Sequence, residues 1–192
     1  MSPVEASFSL PDWAPWIAKI GVAALMLFWV VGAYNRLTRL RGAIGSAWLQ
    51  IDELVSRRSM LVQALADALR EPLADEGVTL AALTLADAHQ RQAALAVRAR
   101  PSQAPLLMTW VLAEAELASP LARLLALLEQ RPELHASEEI APLQRQLAEL
   151  APRLIYARQL FSDAARTYSD AVGEIPTRWV AQMFGMRPTP GL

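Results

Sequence analysis

Residues 13–34 read WAPWIAKIGVAALMLFWVVGAY, and residues 35–69 continue as NRLTRLRGAIGSAWLQIDELVSRRSMLVQALADAL, with no proline between Pro15 and Pro72. In the first stretch Lys19 is the one charged residue. As a helix at about 1.5 Å per residue it is ~33 Å long, which matches a bilayer hydrocarbon core of about 30 Å. It therefore reads as a transmembrane helix. Trp13, Trp16 and Tyr34 fall where interfacial aromatics collect, and Phe28 and Trp29 complete the apolar anchor. Lys19 lies close enough to one end to extend its ammonium to the headgroups while its stem stays in lipid.

A cleaved signal peptide is the competing reading, since Val31-Gly32-Ala33 is a tolerable small-residue cleavage site. The flanking charges argue against it. Glu5 and Asp12 precede the apolar run where a basic cluster is required, and Arg36, Arg39 and Arg41 follow it. Positive charge after the span retains the downstream side in the cytoplasm. The expected layout is an extracytoplasmic N-terminus (1–12), a transmembrane helix (13–34), a helical domain (35–176) and a short C-terminal helix and tail (177–192). The same three arginines are candidates for holding anionic lipid headgroups. The longest later uncharged run, Pro101 to Ala113, contains two prolines and is too short to span, so a single pass is expected.

The remainder is rich in Ala, Leu, Gln, Glu and Arg, all good helix formers, and has no alternating β-branched stretch. Breaks at Pro72–Gly77, Pro101–Pro105 and Arg131–Ser137 leave four helical segments. That predicts an all-α protein with an antiparallel up-and-down four-helix bundle. The first segment carries an unbroken 3-4 seam: Leu37, Leu40, Ile44, Ala47, Ile51, Leu54, Arg58, Leu61, Leu65, Ala68. Since nothing forces a break after Tyr34, anchor and first bundle helix read as one rod of roughly 85 Å.

The last segment, N-capped by Ser137, has the seam Leu143, Leu147, Leu150, Leu154, Ala157, Phe161, Ala164, Tyr168, Ala171, Ile175, with Pro152 within it and Pro176 as its stop. Thr79–Arg100 places Asp87 and Gln90 on its best seam and reads as loosely packed. Ser119-Pro120 reads as a fresh N-cap and first turn, dividing the third segment into two helices.

Chemistry is scarce. Net charge is −1, so there is no basic field for nucleic acid, and the chain has no cysteine for disulfides, thiolate metal sites, lipoprotein acylation or thiol catalysis. His89 and His135 are the only histidines and neither has a second ligand at metal spacing. No Ser-His-Asp set or phosphate loop can be assembled. No catalytic, cofactor-binding or metal-binding residue is therefore assigned. Arg58, the one charge on an apolar seam, has three readings: a snorkelling side chain, a buried pair with a carboxylate such as Glu114 or Asp163, or an anion site. Trp48 and Trp110 read as core or interface aromatics.

Several motifs resemble the LemA family of bacterial membrane proteins: Tyr34-Asn35-Arg36-Leu37, Ala47-Trp48, Ile51-Asp52, the Arg57-Arg58 pair before Met60-Leu61, and Arg131-Pro132-Glu133-Leu134-His135-Ala136 before the last helix. Within and beyond that helix Leu143, Leu147, Ile155, Arg158, Ile175-Pro176, Val180-Ala181 and Phe184-Gly185-Met186 also match. The chain departs from the pattern at Val62-Gln63-Ala64-Leu65, at Phe161-Ser162, at Tyr168-Ser169, and at Ala151, which stands beside Pro152 in place of a family glutamate. It is similar to a divergent member. The resemblance implies a single span in the bacterial cytoplasmic membrane and a helical bundle, and supplies no activity.

The expected function is a membrane-tethered scaffold or adaptor, touching lipids and a membrane or cytoplasmic protein partner that is either foreign or a second copy. A cleaved extracytoplasmic helical protein is the first alternative. An enzyme with an interhelical site is the second, and it requires a pocket with three or more buried titratable groups.

Overall fold

The computed structural model describes residues 14–192. Trp13 and the segment 1–12 lie outside the described residues. The chain is all-α: α1 (Ala14–Ala68), a 3₁₀ turn (Ala74–Glu76), α2 (Gly77–Ala99), α3 (Ala104–Glu129), α4 (Pro132–His135), α5 (Ile140–Gly173) and α6 (Thr177–Met183). The 55 residues of α1 form one helix, about 83 Å long at the standard rise. Its N-terminal part makes it the helix, among the described residues, long and apolar enough to cross a membrane. Trp16, Ile20, Leu25 and Phe28 there are all well exposed.

Beyond Tyr34 the seam of α1 turns inward as its spacing predicts, with Leu37, Ile44, Ile51 and Leu65 fully buried. A second stripe, Trp48, Val55, Val62 and Leu69, is buried beside it. The cause is topological: α1 packs against α5 on one side and α2 on the other, and α2 in turn packs on α3. Side-chain pairs run in opposite order along neighbours. Asp52 meets Arg98 and Ser59 meets Asp87 between α1 and α2, while Glu76 meets Arg123 and His89 meets Glu116 between α2 and α3. These neighbours are therefore antiparallel.

Several sequence expectations change. α3 runs unbroken through Pro120, so Ser119-Pro120 starts no new helix. Proline removes one N–H from a ladder that the rest of a long, packed helix sustains. The 131–137 connection contains the short helix α4. Ser137 is not the N-cap of the next helix: α5 begins at Ile140 with Glu139 in that place, while the Ser137 hydroxyl accepts the Glu139 N–H at 3.4 Å within the turn before it. Ile175 leaves the α5 seam and is 71% exposed, because the helix ends at Gly173 before the cis Ile175–Pro176 bond.

After α6 the chain turns back. The Met186 N–H donates to the Ala181 carbonyl and the Gly185 N–H to that of Gln182, a closing pattern that needs a left-handed residue, and Gly185 supplies it at φ 63°. The tail then lies along α5. Ser169 and Ser162, seven residues apart on one helix face, each donate to and accept from the tail backbone, at Thr189 and Leu192 respectively. The Thr189 hydroxyl continues to the Ser102 carbonyl at 3.2 Å.

Two apolar clusters fill the interior. One gathers Leu37, Ile44, Trp48, Trp110, Phe161, Tyr168 and Val180, and the other Leu65, Leu73, Leu83, Leu124, Ile140 and Leu150. Leu54 packs against both. Near this level the side chains become polar.

Candidate functional site: a charged triad at the head of an apolar groove

α3 brings no Cα within 8 Å of α1 or α5, so only long side chains close that gap. Trp110 of α3 reaches Trp48 of α1 edge-on at 5.1 Å, and Trp48 meets Phe161 of α5 in the same manner at 5.9 Å. One turn beyond Trp110 on α3, Glu114 takes both guanidinium groups: Arg58 Nη1 donates to its Oε2 at 3.2 Å, Arg58 Nη2 to its Oε1, and Arg158 Nη2 to its Oε2. The Arg158 guanidinium also stands 5.0 Å from the Trp110 ring centroid, a cation–π distance. Of the three readings of Arg58, the carboxylate pair is the one formed, and its partner is Glu114. Asp163 is exposed on α5.

The triad carries a net positive charge and is largely withdrawn from water, with Glu114 side-chain exposure at 11% and Arg58 at 15%. Bidentate, charge-assisted bonds offset the desolvation. Beyond it, α3 and α5 stay apart and enclose a groove of about 490 Å³. Leu121 and Leu125 line one wall, and Leu147, Leu150, Leu154 and Ile155 the other. Ala148 and Ala151 keep the α5 wall low. His135 and Gln144 stand among the lining residues as well.

A second polar group lies between α1 and α2. Asp87, 1% exposed, accepts from Ser59 at 2.6 Å and from Gln63 at 3.3 Å, and Arg91 lies 3.3 Å away. Gln90 is fully buried beside it. Of the two seam positions on α2, Asp87 is thus an interior polar contact, while the Gln90 amide is buried with neither of its polar atoms paired.

The remaining family-motif residues are mostly structural in placement. Trp48 and Ile51 are core, Asp52 pairs with Arg98 at 3.3 Å, and Pro132 opens α4. Asn35, Arg57 and Pro176 are exposed. The three arginines after the span divide. Arg39 is exposed, Arg36 faces Glu174 at 3.9 Å, and Arg41 is turned to the α2–α3 loop, donating to Ser102 at 3.2 Å. Among the described residues no three His, Asp or Glu side chains gather at metal-ligand spacing.

Burial raises the Tyr168 phenol above its ordinary pKa, opposed by the nearby Arg41 charge. The folded pKa exceeds the unfolded one of about 10, so this contribution is full below pH ~10 and is lost as pH rises through the folded value. Tyr168→Phe is expected to flatten the alkaline fall of stability and leave neutral stability little changed. Urea midpoints measured on both sides of the tyrosine range check this.

Sequence alone supplied no reason to join Arg158 to Arg58, since each sat on a separate motif. The signal was an unpaired glutamate one helical turn after a tryptophan on α3. The family model described as the LemA family matches residues 47–192, which contain the whole triad, the groove and the tail. No curated protein shows significant similarity to the chain.

Proposed function

Because this chain belongs to the LemA family, matched over residues 47–192, we propose that it is a single-pass scaffold or adaptor of the bacterial cytoplasmic membrane that works through protein contacts and turns over no substrate. The observation that carries the reading is the unbroken α1, whose apolar N-terminal part and bundle seam are one helix. A rigid rod of this kind holds a domain at a fixed distance and angle from a bilayer. Arg36 and Arg39 after the apolar stretch favour a cytoplasmic domain and an outside N-terminus.

The groove between α3 and α5 is the partner surface. It has the width left by a missing neighbour and apolar walls, the features by which an amphipathic helix is bound. Three titratable residues line its head, as an interhelical enzyme requires, but their chemistry opposes that alternative. Two are arginines, which stay protonated, and both hold the one carboxylate. Glu129 and His135, which also line the groove, are exposed to water and make no hydrogen bond to the triad, so no buried acid–base pair is assembled there.

Single cysteines at Ala151 and Ile155 on the groove wall, and at Leu95 on α2, each bearing a photo-crosslinker in native membranes, test the proposal. Adducts to one foreign protein at the groove positions and none at Leu95 are expected. Self-adducts alone make the protein a homo-oligomeric scaffold. The absence of adducts at all three positions rejects the adaptor reading.

A further inference from the structure

We infer that α6 and the turn before it form a second membrane contact, an apolar edge that lies in the lipid headgroup region beside the transmembrane helix. Trp179 and Met183, four residues apart, share one face of α6, and Ile175 stands in the turn before it, with exposures of 62%, 75% and 71%. The opposite face, Thr177, Val180 and Ala181, is buried in the bundle. Phe184, 51% exposed, extends the edge. In a domain surrounded by water, four large apolar side chains on so short a segment are an unusual surface.

Their position says what covers them. The Phe184 ring lies 4.6 Å from that of Tyr34, the last residue of the apolar stretch. Glu174 faces Arg36 across the same level. Val30 and Ala33, in the last turn of that stretch, pack against the core cluster that contains Val180 and Ala181. A span starting near residue 13 leaves a hydrocarbon core of about 30 Å near residue 33. α6 is therefore level with the membrane surface once α1 crosses it, and this inference rests on that anchoring.

The flanking charges fit the same occupant: Arg39, Arg178 and Arg187 are exposed around the edge, and Glu174 is matched by Arg36. Tryptophan with arginine neighbours is the composition of an interfacial, anionic-lipid-facing segment. The edge would fix the rotation of the bundle about α1 in addition to its depth.

The absence of native cysteine permits single spin labels in the full chain, reconstituted in phosphatidylethanolamine–phosphatidylglycerol vesicles. The sites are Leu25→Cys within the span, Met183→Cys on the edge, and Val78→Cys, 87% exposed at the far end of the bundle. Collision with oxygen, which concentrates in lipid, is compared with collision with a water-soluble nickel chelate. The inference predicts a ratio at Met183→Cys several-fold above that at Val78→Cys and below that at Leu25→Cys. A lipid signal at Leu25→Cys with a Val78-like value at Met183→Cys overturns the inference and leaves the anchor intact. A water-like value at Leu25→Cys overturns both. Spin–spin broadening at Met183→Cys, abolished by unlabelled chain, assigns the edge to a second copy and also rejects the lipid contact.

Discussion

Glu114→Leu is expected to destabilise the folded chain by about 3 kcal/mol, at the lower end of the cost of breaking a buried ion pair. Among the described residues this carboxylate is the only acceptor shared by Arg58 and Arg158. Without it two guanidiniums face each other in a half-dry gap. The lower figure is chosen because the Arg158 side chain retains 32% of its exposure and can swing toward the groove mouth. The companion test separates charge from shape. Replacing Arg58, Glu114 and Arg158 together by leucine or methionine should recover most of the loss, since an apolar trio of similar volume has no desolvation to offset. Chemical denaturation followed by far-ultraviolet circular dichroism reads both. If the single substitution costs less than a typical exposed pair, up to about 1 kcal/mol, the triad is a surface feature and not the spacer that holds α3.

Trp48→Ala is the second large effect, expected at about 3–5 kcal/mol. The indole is 1% exposed and joins three helices through its edge contacts with Trp110 and Phe161. Removing it empties the gap between α1 and α3, where no pair of Cα atoms comes within 8 Å to let the backbone collapse. Trp48→Phe should cost much less. The Trp48 indole N–H has no hydrogen-bond partner, so the smaller ring forfeits volume but no polar contact. Equal losses from the two substitutions would mean that the indole matters for something other than filling space.

Much of this was legible in the residues, for identifiable reasons. The α1 and α5 seams are long and regular, and helix period alone places Leu37, Ile51, Phe161 and Tyr168 inside. Arg58 was conspicuous as a charge on an apolar seam, and a guanidinium withdrawn from water needs a carboxylate, for which Glu114 and Asp163 were the candidates. The second stripe of α1 was not legible, because a helix buried on two sides blurs its own periodicity. The Ser119-Pro120 pair was misread because its local signal is a true N-terminal one, and tertiary packing overrode it.

The tail was also hidden. Residues 186–192 have no periodic pattern, and they are held by backbone bonds to Ser162 and Ser169, positions whose significance exists only once the chain has turned at Gly185. Ser102 and Ser169, which nothing in their local sequence singles out, are both engaged by that tail. The groove itself is a product of what does not touch, which no single helix records.

The scaffold role and the lipid-facing edge both require that α1 cross a bilayer and carry the bundle to the cytoplasmic side. A membrane-impermeant maleimide tests this on Gln92→Cys, exposed on α2, and Leu25→Cys, within the apolar stretch. The prediction is that Gln92→Cys is labelled in inverted inner-membrane vesicles and protected in intact spheroplasts, while Leu25→Cys is protected in both. Labelling of Gln92→Cys in intact spheroplasts, or recovery of the chain in the soluble fraction with Leu25→Cys reactive, would contradict it.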